Sequence, residues 1–292
     1  MLEEARAKGF ESVDTLAELY EIAFLRRDVA AMEQYVARAT GSPLEGRLTA
    51  IRVQSLMALG QLRRAQELSP DDATNYLGLV YVALRSALFG NTSDPRLRKL
   101  GAGSPPADVD GDDGQVFGIA ATALALTGDL AGASRHRDIM AERFPLSTLA
   151  RKKWIPTIAA ATAMHERDYT GAISSLARME PFEFGRSIRG IGRLAVFVPT
   201  YIRAQAYLAA GQPLLAADEF RKILDRPGLG LTSPILPLSR LGLARAYEKA
   251  GEITASRRAY EDVLAVWKNA DADVPIIAEA RREYARLIEG GQ

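Results

Sequence analysis

The sequence predicts an all-α protein in which antiparallel helix pairs stack into a solenoid, and three observations support this prediction. Ala, Leu and Arg are abundant while aromatic residues make up only 7% of the chain, a composition with high helix propensity. A tight turn of similar sequence recurs along the chain, and a small residue follows each turn at a fixed distance. The length of 292 residues exceeds that of one ordinary domain, so two domains or an elongated repeat array is expected.

The recurring turns carry glycine in most cases. They read LRRD at 25–28, LGQL at 59–62, TGDL at 127–130, ERDY at 166–169, AGQP at 210–213 and AGEI at 250–253. Glycine supplies the positive φ that ends a helix. The first turn residues are taken as Gly60, Gly128, Arg167, Gly211 and Gly251.

A small residue stands five positions after each of these turn residues. The five are Ala65, Ala133, Ala172, Ala216 and Ser256. Two antiparallel helices approach closely just after their turn, and only a small side chain fits there. The spacing therefore predicts helix hairpins, and five matches at one offset argue against the alternative of an irregular bundle with chance alanines.

The last two predicted pairs match best. Tyr207, Gly211, Ala216 and Phe220 recur as Tyr247, Gly251, Ser256 and Tyr260, each displaced by 40 residues (247 − 207 = 40). We interpret these eight positions, together with the earlier turn glycines and alanines, as repeat-packing residues.

The elements follow in order along one continuous array. Residues 1–100 hold the N-terminal helix pairs, ending in a helix over 73–89 whose expected partner is weak. Residues 101–114 (GAGSPPADVDGDDG) are rich in Gly, Pro and Asp and predict a flexible loop. Residues 115–292 hold the C-terminal pairs, closed by a capping helix over 275–288 with a charged outer face.

The order aromatic, glycine, small residue, aromatic resembles the tetratricopeptide repeat, whose helix hairpins stack into a right-handed α-solenoid. Gly60 and Gly128 are 68 residues apart, twice that family's period of about 34. The later spacings near 40 depart from it and imply longer connections. In this family the first helix of each pair lines the concave face, where exposed positions meet an extended peptide.

Transferring this register gives candidate partner-binding residues on the concave face. They are Tyr201, Gln205 and Leu208, then Arg245 and Glu248, and more loosely Trp154 and His165. Aromatic side chains would supply buried area and polar ones would fix the peptide register. The alternative is that Tyr201 and Trp154 only pack between repeats. The family's clamp of paired Lys and Asn for a terminal carboxylate is absent at these positions.

Longer strings resemble a narrower group, the C-terminal tetratricopeptide region of bacterial membrane-anchored serine/threonine protein kinases. They include LYEIAFLRRDVAAMEQYVARATGSP (19–43), ERFPLSTLARKKWIPTIAAATAMHERDYTGAI (142–173) and LARAYEKAGEITASRRAYEDVLAVWKNADADVPI (243–276). Similar regions follow winged-helix regulators. The resemblance implies an upstream kinase or DNA-binding domain and a location on the outer face of the cytoplasmic membrane, or otherwise in the cytoplasm.

Charge and composition limit the partners. Lys and Arg number 37 and Asp and Glu 36, a balance that argues against an overall attraction to nucleic acid. The longest nearly apolar run, 116–127, is too short to span a bilayer, which needs about 20 residues, so no membrane insertion by this segment is expected. The chain has no cysteine, which excludes disulfides and thiolate chemistry.

No motif predicts catalysis or a cofactor. The two histidines, His136 and His165, have no paired-ligand spacing. Asp108, Asp110 and Asp112 alternate as in a calcium loop but lack its glycine and final glutamate, so a solvated acidic loop is the default. Arg186, Arg189 and Arg193 lie among glycines in 181–198, which we interpret as a solvated connector, with anion binding by the three guanidinium groups as the alternative.

The sequence thus predicts a non-catalytic module that binds a protein or peptide, in a signalling protein associated with a kinase. The alternative is a sensor domain that binds a small ligand in the solenoid groove and regulates an attached effector. An enclosed apolar pocket would favour the sensor, and an open groove would favour the peptide.

Overall fold

The computed structural model describes residues 13–68, 76–106, 114–185 and 192–290, and all regular structure in these ranges is helical. This confirms the all-α prediction. In the first half the helices are α1 (Val13–Arg26), α2 (Val29–Ala39), α3 (Glu45–Ala58), α4 (Leu62–Leu68), α5 (Tyr76–Phe89), α6 (Pro95–Ala102), α7 (Gln115–Thr127) and α8 (Leu130–Arg143).

The second half continues in the same way. A π-helical turn (Ala150–Trp154) leads into α9 (Ile155–His165), followed by α10 (Tyr169–Leu176), α11 (Gly192–Ala195), α12 (Val198–Ala209), α13 (Pro213–Leu224), α14 (Ile235–Lys249), α15 (Ile253–Val266) and α16 (Pro275–Glu289). Short 3₁₀ turns lie at Glu180–Phe182 and Pro227–Leu229. Consecutive helices pack against one another as pairs, and neighbouring pairs pack together.

Each predicted turn has a residue with positive φ. The values are 58° at Arg27, 72° at Gly60, 94° at Gly128, 62° at Arg167, 75° at Gly211 and 80° at Gly251. In three turns the next residue is an aspartate that caps the second helix. Asp28, Asp129 and Asp168 accept hydrogen bonds from the backbone N–H three residues later. The turn motif therefore ends one helix and starts the next.

The five small residues after the turns are all buried, with exposed fractions of 0% or 1%. Ser256 also donates a hydrogen bond of 2.9 Å to the carbonyl oxygen of Ala244 on the first helix of its pair. A larger side chain at any of these positions would separate the two helices.

Close contacts between neighbouring pairs place an aromatic ring on a glycine. A Cβ atom at Gly118 would lie 2.3 Å from Cγ of Trp154, and one at Gly242 would lie 2.2 Å from Cζ of Phe220. Both rings are fully buried. These glycines are needed for close approach of the pairs rather than for an unusual φ.

Helix α5 has a partner that the sequence did not predict. Asp94 caps α6 by accepting the backbone N–H of Arg96, and Pro95 occupies the first helical position. Helix α6 packs on α5 and runs through Ala102, past the start of the predicted 101–114 loop. Residues 107–113 of that loop lie outside the described ranges.

The largest cluster of buried apolar residues runs from Tyr76 to Ala280, and a smaller one surrounds Tyr20 in α1–α3. The N-terminal pairs fold back onto the C-terminal ones. Trp267 Nε1 donates to the carbonyl oxygen of Ala58 (3.1 Å), and the Asp271 N–H donates to that of Gly60 (3.0 Å). The start of α16 lies against the same turn, since a Cβ at Gly60 would meet Ile277.

Within the described ranges, no helix has both the length and the apolar character needed to cross a lipid bilayer.

Candidate functional site

An open groove of about 850 Å³ crosses the first helices of successive pairs. Its walls come from α7, α9, α12, α14 and α16, together with the turn after α9. Five of the seven predicted partner-binding residues line it, namely His165, Gln205, Leu208, Arg245 and Glu248. The register therefore brings residues from three different helices to one surface.

The floor of the groove is apolar and its edges are polar. Leu126, Met164, Leu208 and Ala209 contribute the apolar surface. His165 lies at one edge, exposed, and its ring covers Gly128 in the turn of the preceding pair. A small apolar patch between charged edges suits the anchor side chain of an extended segment.

Arg245 is the central charged group of the groove. Its Nε donates to Oε2 of Glu283 at 2.9 Å, and its Nη2 lies 3.1 Å from Oε2 of Glu279. Burial opposes the charge, but the bond to Glu283 and the charges of Glu283 and Glu279 raise the pKa of Arg245 above its ordinary value. The guanidinium therefore stays charged.

Tyr260 links two carboxylates beneath the groove. Its hydroxyl lies 3.1 Å from Oε2 of Glu248 and 3.2 Å from Oε2 of Glu283, so one proton is shared between two acceptors. Burial raises the pKa of this hydroxyl, and the charges of Glu283 and Glu248 add to the effect. Tyr260 therefore fixes the position of the glutamate that orients Arg245.

Cations outnumber carboxylates in the groove. Arg167, Lys249 and Arg286 join Arg245, against Glu248 and Glu283. Lys249 and Arg286 are exposed at the edge. The groove therefore favours a ligand that carries carboxylate groups.

Two predicted partner-binding residues do not line the groove. Trp154 is fully buried against Gly118, so it has no surface for a partner. Tyr201 is 8% exposed, packs edge-on against Phe220, and accepts a 2.8 Å hydrogen bond from Gln205 Nε2. Its role here is to hold Gln205 at the groove. Both aromatics pack between helices, because a large apolar ring gains more from the core than from water.

The remaining aromatic residues of the best-matched pairs differ in burial. Phe220 and Tyr260 are fully buried, while Tyr207 and Tyr247 are half-buried against the core. In these two pairs, the fully buried aromatic ring therefore comes from the second helix.

A buried network that the sequence did not reveal lies behind the groove. Lys153 is fully buried, and its Nζ donates to the carbonyl oxygens of Glu183 (3.1 Å), Gly185 (2.7 Å) and Val196 (3.2 Å). An ammonium group has three donors, and here each has an acceptor. Burial lowers the pKa of Lys153 to about 7, and the charge of Glu183 opposes this only in part.

Arg203 completes this network. It bridges Glu183 and Glu219, with its Nε 2.9 Å from Oε2 of Glu219, and Thr200 donates to Glu183 at 2.7 Å. Burial opposes its charge, but the two glutamates raise the pKa of Arg203. Arg203, the single charged residue of α12, is the sequence signal that could have revealed it, whereas Lys153 follows Arg151 and Lys152 and does not stand out.

Two segments for which ion binding was only the alternative to a solvated loop or connector lie largely outside the described residues. Asp108, Asp110 and Asp112 fall in the undescribed part of the chain, as do Arg186 and Arg189 and the side chain of Arg193. In the part that is described, no group of three or more His, Asp or Glu side chains is placed to hold a metal ion.

No known family model matches the chain, and no curated protein or solved structure matches it either.

Proposed function

We propose that this protein binds an extended peptide segment of a partner protein in the groove across α7, α9, α12, α14 and α16. One observation carries the proposal. Five residues selected by repeat register alone line one open surface. In this proposal the helix pairs form a right-handed solenoid of tetratricopeptide type, and the groove is its concave face.

The chemistry of the groove indicates the kind of peptide. An apolar side chain would lie on Leu126 and Leu208, where its burial would provide affinity. Acidic side chains would lie beside Lys249 and Arg286, which are exposed. Gln205 would bond the peptide backbone, since its amide is held in place by Tyr201. The preferred ligand is therefore an acidic segment with one apolar anchor.

The open shape of the groove favours a peptide over an enclosed small molecule. The proposal therefore describes a non-catalytic interaction module. On the sequence resemblance alone, we extend it to a signalling role beside a kinase or transcription regulator. The same resemblance suggests the outer face of the cytoplasmic membrane, with the cytoplasm as the alternative.

Selection from a random peptide library displayed on phage tests the proposal. We expect enriched peptides to carry acidic residues around an apolar one. Ala209→Glu and Lys249→Glu should each weaken their binding tenfold or more, because both replacements add negative charge at exposed groove positions. Arg258→Glu, an exposed change on α15 away from the groove, is the matched control.

Two outcomes would reject this function. One is failure to enrich any peptide above background. The other is enrichment of peptides whose affinity is equal for the wild type and both groove variants, which would place the binding surface elsewhere.

A further inference from the structure

A second cavity lies where the N-terminal pairs meet the C-terminal ones. It has a volume of about 460 Å³ and lies between α1–α3 on one side and α14–α15 on the other, partly open to solvent. Phe24, Met32 and Val36 line the first side, and Leu231 and Leu236 line the second. The walls are therefore mainly apolar, unlike the edges of the peptide groove.

The charged side chains around this cavity are almost all of one sign. They are Arg27, Arg52, Arg64, Arg240 and Lys268, with Glu33 as the single carboxylate. In the described part of the chain, none of these five cations forms an ion pair, although Arg64 bonds the amide oxygen of Gln61. With five cations against one carboxylate, the lining of this cavity carries a net positive charge and favours an anion.

Arg240 and Arg52 are half-buried, and the other three cations are exposed. Arg240 lies one turn after Leu236 on α14. Burial lowers the pKa of its guanidinium, the charge of Asp262 opposes this, and the charge of Arg27 adds to the lowering. A bound anion would relieve both the burial and the repulsion.

The size of the cavity restricts its occupant. The volume of the cavity falls within the range of about 300–1,000 Å³ typical of small-molecule sites.

We propose that this cavity binds a small amphiphile with one long apolar chain and a single anionic head group, of the fatty-acid class. The carboxylate pairs with Arg240 and Arg27, and the hydrocarbon chain lies between Met32 and Val36 on one side and Leu236 on the other. This site is separate from the peptide groove and does not depend on the function proposed for it.

Isothermal titration calorimetry of the full chain with palmitate, below the critical micelle concentration of palmitate, tests the proposal. We expect one palmitate per chain. Arg240→Gln should weaken binding about tenfold or more, because a bond between charged groups is lost. Hexadecanol has the same chain without the charge. It should bind the wild type more weakly than palmitate does, and its affinity should be the same for the wild type and Arg240→Gln. Arg258→Gln should bind palmitate like the wild type.

A second variant tests the apolar part of the site. Met32→Asp should abolish palmitate binding, with its far-ultraviolet circular dichroism showing that the chain still folds. Lys249→Glu in the peptide groove should leave palmitate binding unchanged, so failure of one site is distinguishable from failure of the other.

Three outcomes would overturn the proposal. They are no palmitate binding, equal affinity for palmitate in the wild type and Arg240→Gln, and displacement of palmitate by an acidic peptide selected on the groove.

Discussion

Two arginines on neighbouring first helices each hold two glutamates, yet they differ in exposure. Arg203 on α12 is 7% exposed, and its partners Glu183 and Glu219 are 3% and 9% exposed. Arg245 on α14 is 21% exposed, and of its partners Glu283 is 11% and Glu279 is 54% exposed. Both clusters consist of one arginine and two glutamates, but the cluster around Arg245 is more exposed to water.

The difference separates a structural role for Arg203 from the binding role that we propose for Arg245. In the sealed cluster, no partner of Arg203 can be exchanged for water or ligand, so the charges must compensate one another. In the groove cluster, Glu279 is exposed, so a ligand carboxylate can replace it on Arg245 without stranding a buried charge. Burial therefore decides which arginine stabilises the fold and which can meet a partner.

The largest expected effect comes from breaking the sealed cluster. Arg203→Leu leaves buried Glu183 without its guanidinium partner and Glu219 with only the bond from Lys222, so we expect a loss of about 3–5 kcal/mol in the free energy of unfolding. Urea denaturation at pH 7 measures it. A loss below about 1 kcal/mol would mean that water reaches this cluster and that the contrast with Arg245 is false.

Lys153, which bonds the backbone beside Glu183, adds a pH dependence to the sealed cluster. Its pKa is about 7 in the folded chain against an ordinary value of 10.5, so unfolding takes up a proton between these values. The free energy of unfolding should therefore rise with pH, by roughly 1 kcal/mol per unit between pH 7 and 9.

Lys153→Met should lose this slope and be less stable at both pH values, since three carbonyl groups lose their donor. Urea denaturation of both proteins at pH 7 and 9 is the measurement. If the free energy of unfolding of the wild type did not change between pH 7 and 9, the three carbonyl groups would be keeping the ammonium group charged over this whole range.

Arg245→Gln should have a smaller effect on stability. Glu283 keeps its bond from Tyr260, and Glu279 is solvated, so we expect a loss of about 1 kcal/mol and a fall of about 2–4 °C in melting temperature. Thermal unfolding followed by circular dichroism measures it. A loss in the free energy of unfolding as large as that of Arg203→Leu would show that Arg245 mainly stabilises the fold.

The smallest effect should come from a fully solvated pair. Arg221 contacts Asp218 one turn away on α13, and both side chains are more than half exposed. Arg221→Ala should change the free energy of unfolding by less than about 0.5 kcal/mol in the same urea assay. A larger change would show that exposure alone does not determine how much each of the three arginines contributes to the free energy of unfolding.

The sequence predicted the helical class and most turns because both depend on local chemistry. Gly128 and Gly251 have the positive φ that a helix end requires, and Ala133 lies at the close contact that follows. Sequence reasoning could also assign Gln205 and Arg245 to one surface, because equivalent positions in successive pairs lie on the same face of their helices.

Other features could not be predicted, because they depend on contacts between distant segments. The ammonium group of Lys153 bonds carbonyls 30 to 43 residues away, and no local pattern indicates this. Repeat register makes Trp154 a loose surface candidate, with packing between repeats as the alternative, and its contact with Gly118, 36 residues earlier, is not visible in any local pattern. The pair α5–α6 was missed although Asp94 and Pro95 are ordinary helix-start residues.

The bond from Trp267 to Ala58 joins residues that are 209 positions apart. In a linear array of repeats each unit touches only its neighbours, so such arrays can melt progressively from either extremity. Here the α3–α4 unit also rests on the segment between α15 and α16, so these two regions support each other although they lie far apart in the sequence. Destabilising one of them should therefore weaken the other, and formation of this long-range contact should be a slow step in folding.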